Sequence, residues 1–266
     1  MSDALTTSVA ALMRQVAAEV VMPRYRNLAQ HEVIEKAKDE LVTIADRESE
    51  ARLQDGVAKL LPEAGIVGEE AVAADPELLA DLGNGLKWLI DPIDGTSNFA
   101  AGKPPFGLMI ALVDNGIVQQ SWVLDPLTDR LCCAALGKGA TINGEHVTAR
   151  PTGAPLPVAG ISLLFSDPET RVRLKERAAD TLEMVDIPRC AAEQYPRIVL
   201  GVNDLAVFER TLPWDHAPGS LFVNEAGGRV ARPDGSAYVI GADPGKGLLA
   251  ACSPEMWDRA AAIIYG

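Results

Sequence analysis

Twelve residues constrain this chain more than any others: Trp88-Leu89-Ile90-Asp91-Pro92-Ile93-Asp94-Gly95-Thr96-Ser97-Asn98-Phe99. Trp88, Leu89 and Ile90 read as an apolar strand. Asp91 and Asp94 then stand three residues apart with Pro92 between them, and Gly95-Thr96 follow where a chain leaving a sheet must turn. Taken alone, the stretch reads as a turn, because Asp-Pro and Asp-Gly are frequent turn dipeptides. Two carboxylates beside a glycine and a hydroxyl also form a site for hard cations and an anionic ligand. What the rest of the chain can bring to this corner decides between the two.

Before the corner, Leu5, Val9, Leu12, Val16 and Val20 recur at helical spacing up to Pro23. A charged stretch, 24–40, leads to Leu41-Val42-Thr43-Ile44-Ala45-Asp46 and a second amphipathic helix ending near Pro62. Ile66-Val67 is a short strand ending in Gly68-Glu69-Glu70, and 71–86 reads as a loop with one helical turn after Pro76. After the corner, 106–113 is a buried strand, Asn115-Gly116 a hairpin turn, and 117–124 with 131–135 continue an antiparallel meander past a turn at Asn143-Gly144. Residues 151–157 hold three prolines and a glycine and mark a linker.

Beyond the linker, strands and helices alternate. Strands are predicted at 158–164, 184–187, 205–209 and 248–251, and helices at 168–182, 194–200, 215–226 and 254–264. The fold class is α+β grading into α/β: an N-terminal half, 1–150, of helices and a mostly antiparallel sheet, then an alternating α/β half, 151–266, in layers.

Acids recur at element ends. Glu69-Glu70 follows one strand, and Asp215, after Trp214, opens a helix closed by Gly227-Gly228. Singly these read as a solvated pair and a helix N-cap. Together with Asp91 and Asp94 they can converge, and like charges that close repel unless cations intervene. An all-oxygen ligand set suits magnesium, manganese or calcium. The formal charge of −13 argues against nucleic acid and anionic membranes as partners. It also requires a local positive charge if the ligand is a phosphate. Cys132, Cys133, Cys190 and Cys252 form no metal-binding spacing and read as reduced core thiols. No basic segment followed by a long apolar run opens the chain, so a cytoplasmic protein is expected.

Gly68-Glu69-Glu70, the 88–99 stretch, Trp214-Asp215-His216-Ala217-Pro218-Gly219 with Glu225-Ala226-Gly227-Gly228, and Leu41 to Asp46 closely resemble the inositol monophosphatase family, in that family's order, over about residues 5–260. The resemblance implies a layered αβαβα sandwich and a magnesium-dependent phosphomonoesterase. Glu69 and Asp91, with the carbonyl of Ile93, would hold one metal, and Asp91, Asp94 and Asp215 a second. Glu70 would stand beside them, and a weaker third ion would use Glu69. Thr96 and Asp46 would hold and activate water, and the backbone of Gly95 and Thr96 would face phosphate. Manganese would substitute, calcium or lithium would inhibit, and the chain would form a homodimer.

Several points depart from the family or stay open. Ser97 stands where many relatives have threonine. Glu209 is six residues before Asp215, where inositol-specific relatives place a glutamate at seven, and Tyr195-Pro196-Arg197 occupies a segment of small residues in relatives. Tyr195, Arg197, Glu209, His216 and Ser97 are therefore the substrate-side candidates. His216 on its own reads as a helix-surface residue. Lys36 and Lys38 read either as a loop closing over the site or as a solvated charge run. His31 and His146 carry no assignment, and Trp122 and Trp257 are core. Inositol phosphate is the family default. Histidinol phosphate, 3'-phosphoadenosine 5'-phosphate and fructose 1,6-bisphosphate would use the same chemistry, and a silent binding homologue would keep the fold without it. The Asp-x-Asp nucleophile of haloacid dehalogenase-like phosphatases does not match the spacing of Asp91 and Asp94.

Overall fold

The computed structural model describes residues 3–29, 32–37, 40–162, 168–241 and 247–266. The chain opens with α1 (Asp3–Val16), a π turn (Ala17–Val21) and α2 (Met22–Arg24). A hairpin of β1 (Val33–Ala37) and β2 (Glu40–Thr43) runs into α3 (Ile44–Leu60). Then come β3 (Gly65–Gly68), α4 (Glu69–Ala74), a 3-10 turn (Pro76–Leu79), β4 (Leu86–Asp94) and α5 (Thr96–Ala100). The meander is β5 (Gly107–Asp114), β6 (Ile117–Asp125), β7 (Arg130–Ala135), β8 (Gly139–Ile142) and β9 (Glu145–Val147). After an irregular stretch, 148–157, follow β10 (Val158–Ile161), α6 (Pro168–Ala178), β11 (Glu183–Val185), α7 (Ala191–Val199), β12 (Leu205–Phe208), α8 (Pro213–Glu225), β13 (Arg229–Ala231), β14 (Leu248–Ala251) and α9 (Pro254–Tyr265).

Among the described residues, β3 to β9 form one sheet in sequence order, parallel at β3–β4 and antiparallel beyond. A second sheet has the order β11-β10-β12-β14-β13, parallel from β11 to β12 and antiparallel from β12 on.

Side-chain alternation explains the layers. Successive strand residues point to opposite faces. A strand that is apolar at every position must therefore be covered on both faces. Along β4 and β5, Trp88, Ile90, Leu108 and Ile110 pack with Val9, Met13, Ala45 and Leu53 of α1 and α3. Leu89, Met109 and Ala111, one residue out of phase, pack with α7 and α8 through Ile198, Ala217, Leu221 and Phe222. In the smaller sheet, Ala206, Leu248 and Ala250 face those same central helices. Leu205, Val207 and Leu249 face Leu174, Ala178, Trp257 and Ala260 of α6 and α9. The result is the expected αβαβα sandwich. Residues 4–24 are long and apolar enough to cross a bilayer, but their apolar stripe is spent on the core, and Trp122 Nε1 donates to the Thr6 carbonyl at 3.1 Å. Truncating a fully buried tryptophan such as Trp88 or Trp122 to alanine would cost about 3–5 kcal/mol.

The structure corrects several sequence expectations. Glu69 and Glu70, read as the end of a strand, and 71–74, read as loop, together form α4, so Glu69 and Glu70 open a helix. The charged stretch 24–40 contains β1. β4 runs through both aspartates, and its pairing with β5 shifts between Asp91 and Asp94, which lets Pro92 sit in a strand without breaking a ladder bond. Asp215 is not an N-cap: Leu212 caps α8, Pro213 takes the first turn, and Asp215 lies within it. β13 was not anticipated. The end of the 158–164 strand, His31 and the Lys38 end of the closing loop lie outside the described residues, as does the side chain of Lys36.

Candidate active site

The strand β4 delivers Asp91 and Asp94 to the edge of a cavity of about 420 Å³. Gly95 follows at φ +82°, a left-handed conformation that favours glycine. A Cβ there would also lie 3.0 Å from the Pro105 carbonyl and 3.2 Å from Cys190 Cβ. This kink turns the chain at once into α5, so Thr96 and Ser97 face the same cavity. Glu69 enters from the start of α4 and Asp215 from the first turn of α8. Glu69, Asp91, Ile93, Asp94, Gly95, Thr96 and Asp215 thus share one cavity.

Asp46 is buried at the start of α3. Its carboxylate accepts from the N–H of Thr43 at 2.8 Å and from the Thr43 hydroxyl, while the Thr43 hydroxyl accepts from Ala45 N–H. This is a capping box. The other Asp46 oxygen lies 3.2 Å from Thr96 Oγ1, and the one hydroxyl proton of Thr96 can point to it or to the Ile93 carbonyl, 2.9 Å away. Burial, reinforced by the charge of Glu70, raises Asp46 to about 6 despite the bonds from Thr43 and Thr96. Asp91 is pushed well above the carboxylate range, first by burial and then by the charges of Glu69, Asp94, Asp215 and Asp46. Asp94 is also raised by burial, against hydrogen bonds that favour its ionised form. The strongest of these comes from Ala192 N–H at 2.6 Å, at the start of α7. Asn98 ties the same corner together, donating to the carbonyls of Pro105 and Pro188.

The donor set fits hard divalent cations. Asp91 Oδ1 is buried and has no hydrogen-bond partner, and a group of mutually repelling buried carboxylates is stabilised when cations intervene. Among the described residues, no three His, Cys, Asp or Glu side chains form a ready-made shell around one point. The acids are instead spread around the cavity and share Asp91 as their common neighbour, which suits more than one ion.

The substrate-side candidates separate. Glu209, His216 and Ser97 line the cavity. Tyr195 does not: it is fully buried behind His216. Arg197 is also outside, paired at 2.7 Å with Glu193, which Arg130 meets from the other side. Glu70 is not part of the lining and reaches the site through its charge on Asp46. His216 is no surface residue, being 4% exposed, and burial lowers it to about 3, so the ring is neutral. His146 is exposed on β9, the four cysteines are buried free thiols, and Trp122 and Trp257 are core.

Besides Ala192 and Asn98, a residue beside the site went unread in the sequence. Glu50, one turn after Asp46 on α3, is buried, and its carboxylate accepts from the N–H groups of Glu70 at 2.7 Å and Ala71 at 2.9 Å. It caps α4 from the neighbouring helix α3. Gly68 makes room for it, since a Cβ there would lie 2.4 Å from the Glu50 carboxyl carbon. The only signal in the sequence was spacing: a second acid four residues after Asp46 lies on the same helical face.

Comparison with known proteins agrees with this fold. The chloroplastic phosphatase IMPL1 of Arabidopsis thaliana is 30% identical over 249 residues, 90% of this chain and 65% of the plant protein, so this chain spans just under two thirds of that relative. A histidinol-phosphatase of Chlorobaculum parvum is 32% identical over 83% of this chain and 82% of its own length. A solved IMPase of Thermotoga maritima superposes with a TM-score of 0.82 at 27% identity, covering 99% of this chain and 97% of that one. The model of the inositol monophosphatase family matches residues 2–264, and the chain belongs to that family of phosphatases.

Proposed function

We propose that this protein is a magnesium-dependent phosphatase of a small polyol or sugar phosphomonoester, with myo-inositol monophosphate the first candidate. One observation carries the reading: Glu69, Asp91, the Ile93 carbonyl, Asp94 and Asp215 share a cavity with Thr96, behind which lies Asp46. Glu69, Asp91 and Ile93 would hold one ion, and Asp91, Asp94 and Asp215 another. When bound, magnesium supplies positive charge that polarises the phosphoryl group and makes water more acidic.

The chain's own groups do the rest. The Gly95–Thr96 backbone, opened by the glycine kink, seats the phosphate. Thr96 Oγ1 accepts a hydrogen bond from the attacking water; its own hydroxyl proton, turned from the Ile93 carbonyl, goes to Asp46 Oδ1, 3.2 Å away, as the water's proton replaces it on Oγ1. Asp46, raised to about 6, is ionised at neutral pH and close enough to that pH to take the proton. Ala192 N–H holds Asp94 in place as the phosphoryl group transfers. A cavity of about 420 Å³ accommodates a ligand the size of a cyclitol or sugar phosphate.

The similarity to a histidinol-phosphatase favours histidinol phosphate as the second candidate on the same site. A panel of inositol 1-phosphate, histidinol phosphate, 3'-phosphoadenosine 5'-phosphate and fructose 1,6-bisphosphate tests the proposal, run with magnesium, with manganese, with chelator and with added lithium or calcium. Phosphate release that needs magnesium supports it. Release from no ester, with the fold intact, would replace it with a silent binding homologue.

A further inference from the structure

His216 follows Asp215 directly, yet its ring nitrogens are both engaged elsewhere. Nε2 lies 2.9 Å from the carbonyl oxygen of Arg210. A carbonyl only accepts, so Nε2 carries the proton. Nδ1 is then the acceptor, and the Tyr195 hydroxyl, 2.9 Å away, donates to it. A directed chain runs from the Tyr195 O–H to His216 and from His216 to the Arg210 carbonyl.

Its two ends differ in character. Tyr195 sits in the contact of α7 with α8, fully buried and stacked on Phe208 with ring centroids 4.8 Å apart. A Cβ on Gly219 would lie 1.9 Å from the Tyr195 ring, so glycine is what lets α8 close on it. Those helices also carry Ala192, which holds Asp94, and Asp215. Arg210 lies in the segment between β12 and α8, where no strand ladder fixes the backbone. Arg232 grips the same segment one residue on, donating to the Thr211 hydroxyl at 3.1 Å. Glu209, Arg210 and Leu212 of this segment line the same cavity as Gly95 and Thr96 but come from a different element.

We infer that Tyr195 and His216 are positioning residues for the leaving-group wall: they fix the Arg210 carbonyl, and so place the Glu209 and Arg210 side chains against the non-phosphate part of the substrate. This rests on the reading of the cavity as a phosphate-ester site. It assigns Tyr195 a role at a distance, through a hydrogen bond, where the sequence suggested direct contact.

A merely structural role makes a different prediction from a positioning one. His216→Leu fills the aromatic cluster with an apolar side chain and removes both bonds, whereas His216→Gln keeps a donor for Arg210 and an acceptor for Tyr195. If the ring only packs, leucine should be as good as glutamine or better. If it positions the wall, His216→Leu should raise KM for inositol 1-phosphate about tenfold more than it lowers kcat, and His216→Gln should recover most of that. Inhibition by inorganic phosphate, which reads the phosphate half alone, should move less than about twofold in either variant.

A second readout needs no turnover. Trypsin should cut after Arg210 about tenfold faster in His216→Leu than in the wild type or His216→Gln, because the segment opens more often. Tyr195→Phe, which removes one hydroxyl, should shift both readouts in the same direction by a smaller factor. Equal behaviour of the leucine and glutamine variants in both assays would overturn the inference. If the wild type hydrolyses no ester, the proposed function fails, and the trypsin comparison still decides the relay.

Discussion

The strongest mechanical claim of the site is that Glu50 holds Glu69 in place, and Glu50→Ala tests it. The wild-type carboxylate accepts from Glu70 N–H at 2.7 Å and Ala71 N–H at 2.9 Å, both at the start of the helix that presents Glu69. Hydrogen bonds to a charged acceptor contribute about 1.5–3 kcal/mol each. Alanine removes both, and water entering the space recovers part, leaving a loosening of about 3 kcal/mol at the start of α4. Glu69 binds an ion only when α4 is docked, so that loosening lowers apparent metal affinity by at most ~100-fold, since 1.4 kcal/mol is a factor of ten. A rise of about 10- to 100-fold in the magnesium dissociation constant is expected, measured by titration calorimetry on the metal-free protein. Glu50→Gln keeps one acceptor oxygen and should fall between alanine and the wild type. An alanine variant that binds magnesium within about twofold of the wild type would show that α4 docks without Glu50, and the reasoning would be wrong.

Three further outcomes follow from the same geometry. Asp94→Asn retains an oxygen to accept from Ala192 N–H but loses its charge, so phosphate release should fall more than about 100-fold while the far-ultraviolet circular dichroism stays that of the wild type. Thr96→Ala should lower kcat by about 10²- to 10⁴-fold, and Thr96→Ser should restore most of it, because only the hydroxyl touches Asp46 and Ile93. Asp46 has a raised pKa in the fold, so the folded state binds more protons than the unfolded one and metal-free stability falls as pH rises from about 4 to about 6. For Asp46 alone this is worth about 3 kcal/mol, so urea unfolding in chelator should show a shallower pH slope for Asp46→Asn, and parallel slopes would refute the assignment.

Much of the architecture could be read because periodicity and turn chemistry are local. The run of apolar residues in β5 demanded cover on both faces, and Asn115-Gly116 marked the hairpin. The five layers then followed from which phase of each strand met which helix. What local reading missed was set by contacts across the chain. Glu69-Glu70 looked like a solvated pair because nothing nearby in sequence shows that Glu50, about twenty residues earlier, caps the backbone N–H groups of Glu70 and Ala71 and so starts a helix there. Asp215 looked like an N-cap because aspartate favours that position, but Pro213 fits the first helical turn and moved the helix start upstream.

The substrate side resisted for a related reason. A metal ligand announces itself by residue type, since few side chains offer a charged oxygen, and a shared cavity gathers Glu69, Asp91, Asp94 and Asp215 from three elements. A leaving-group wall has no such vocabulary. Tyr195 and Arg197 are two residues apart on one helix, so they lie on different faces. The first turns inward to His216, and the second turns out to an ion pair with Glu193. Neither touches the cavity, yet one of them governs it through the Arg210 carbonyl. A segment without ladder bonds takes its position from whichever side chains reach its backbone. Its selectivity is therefore set by Tyr195, His216 and Arg232 as much as by Glu209 and Arg210, which face the ligand.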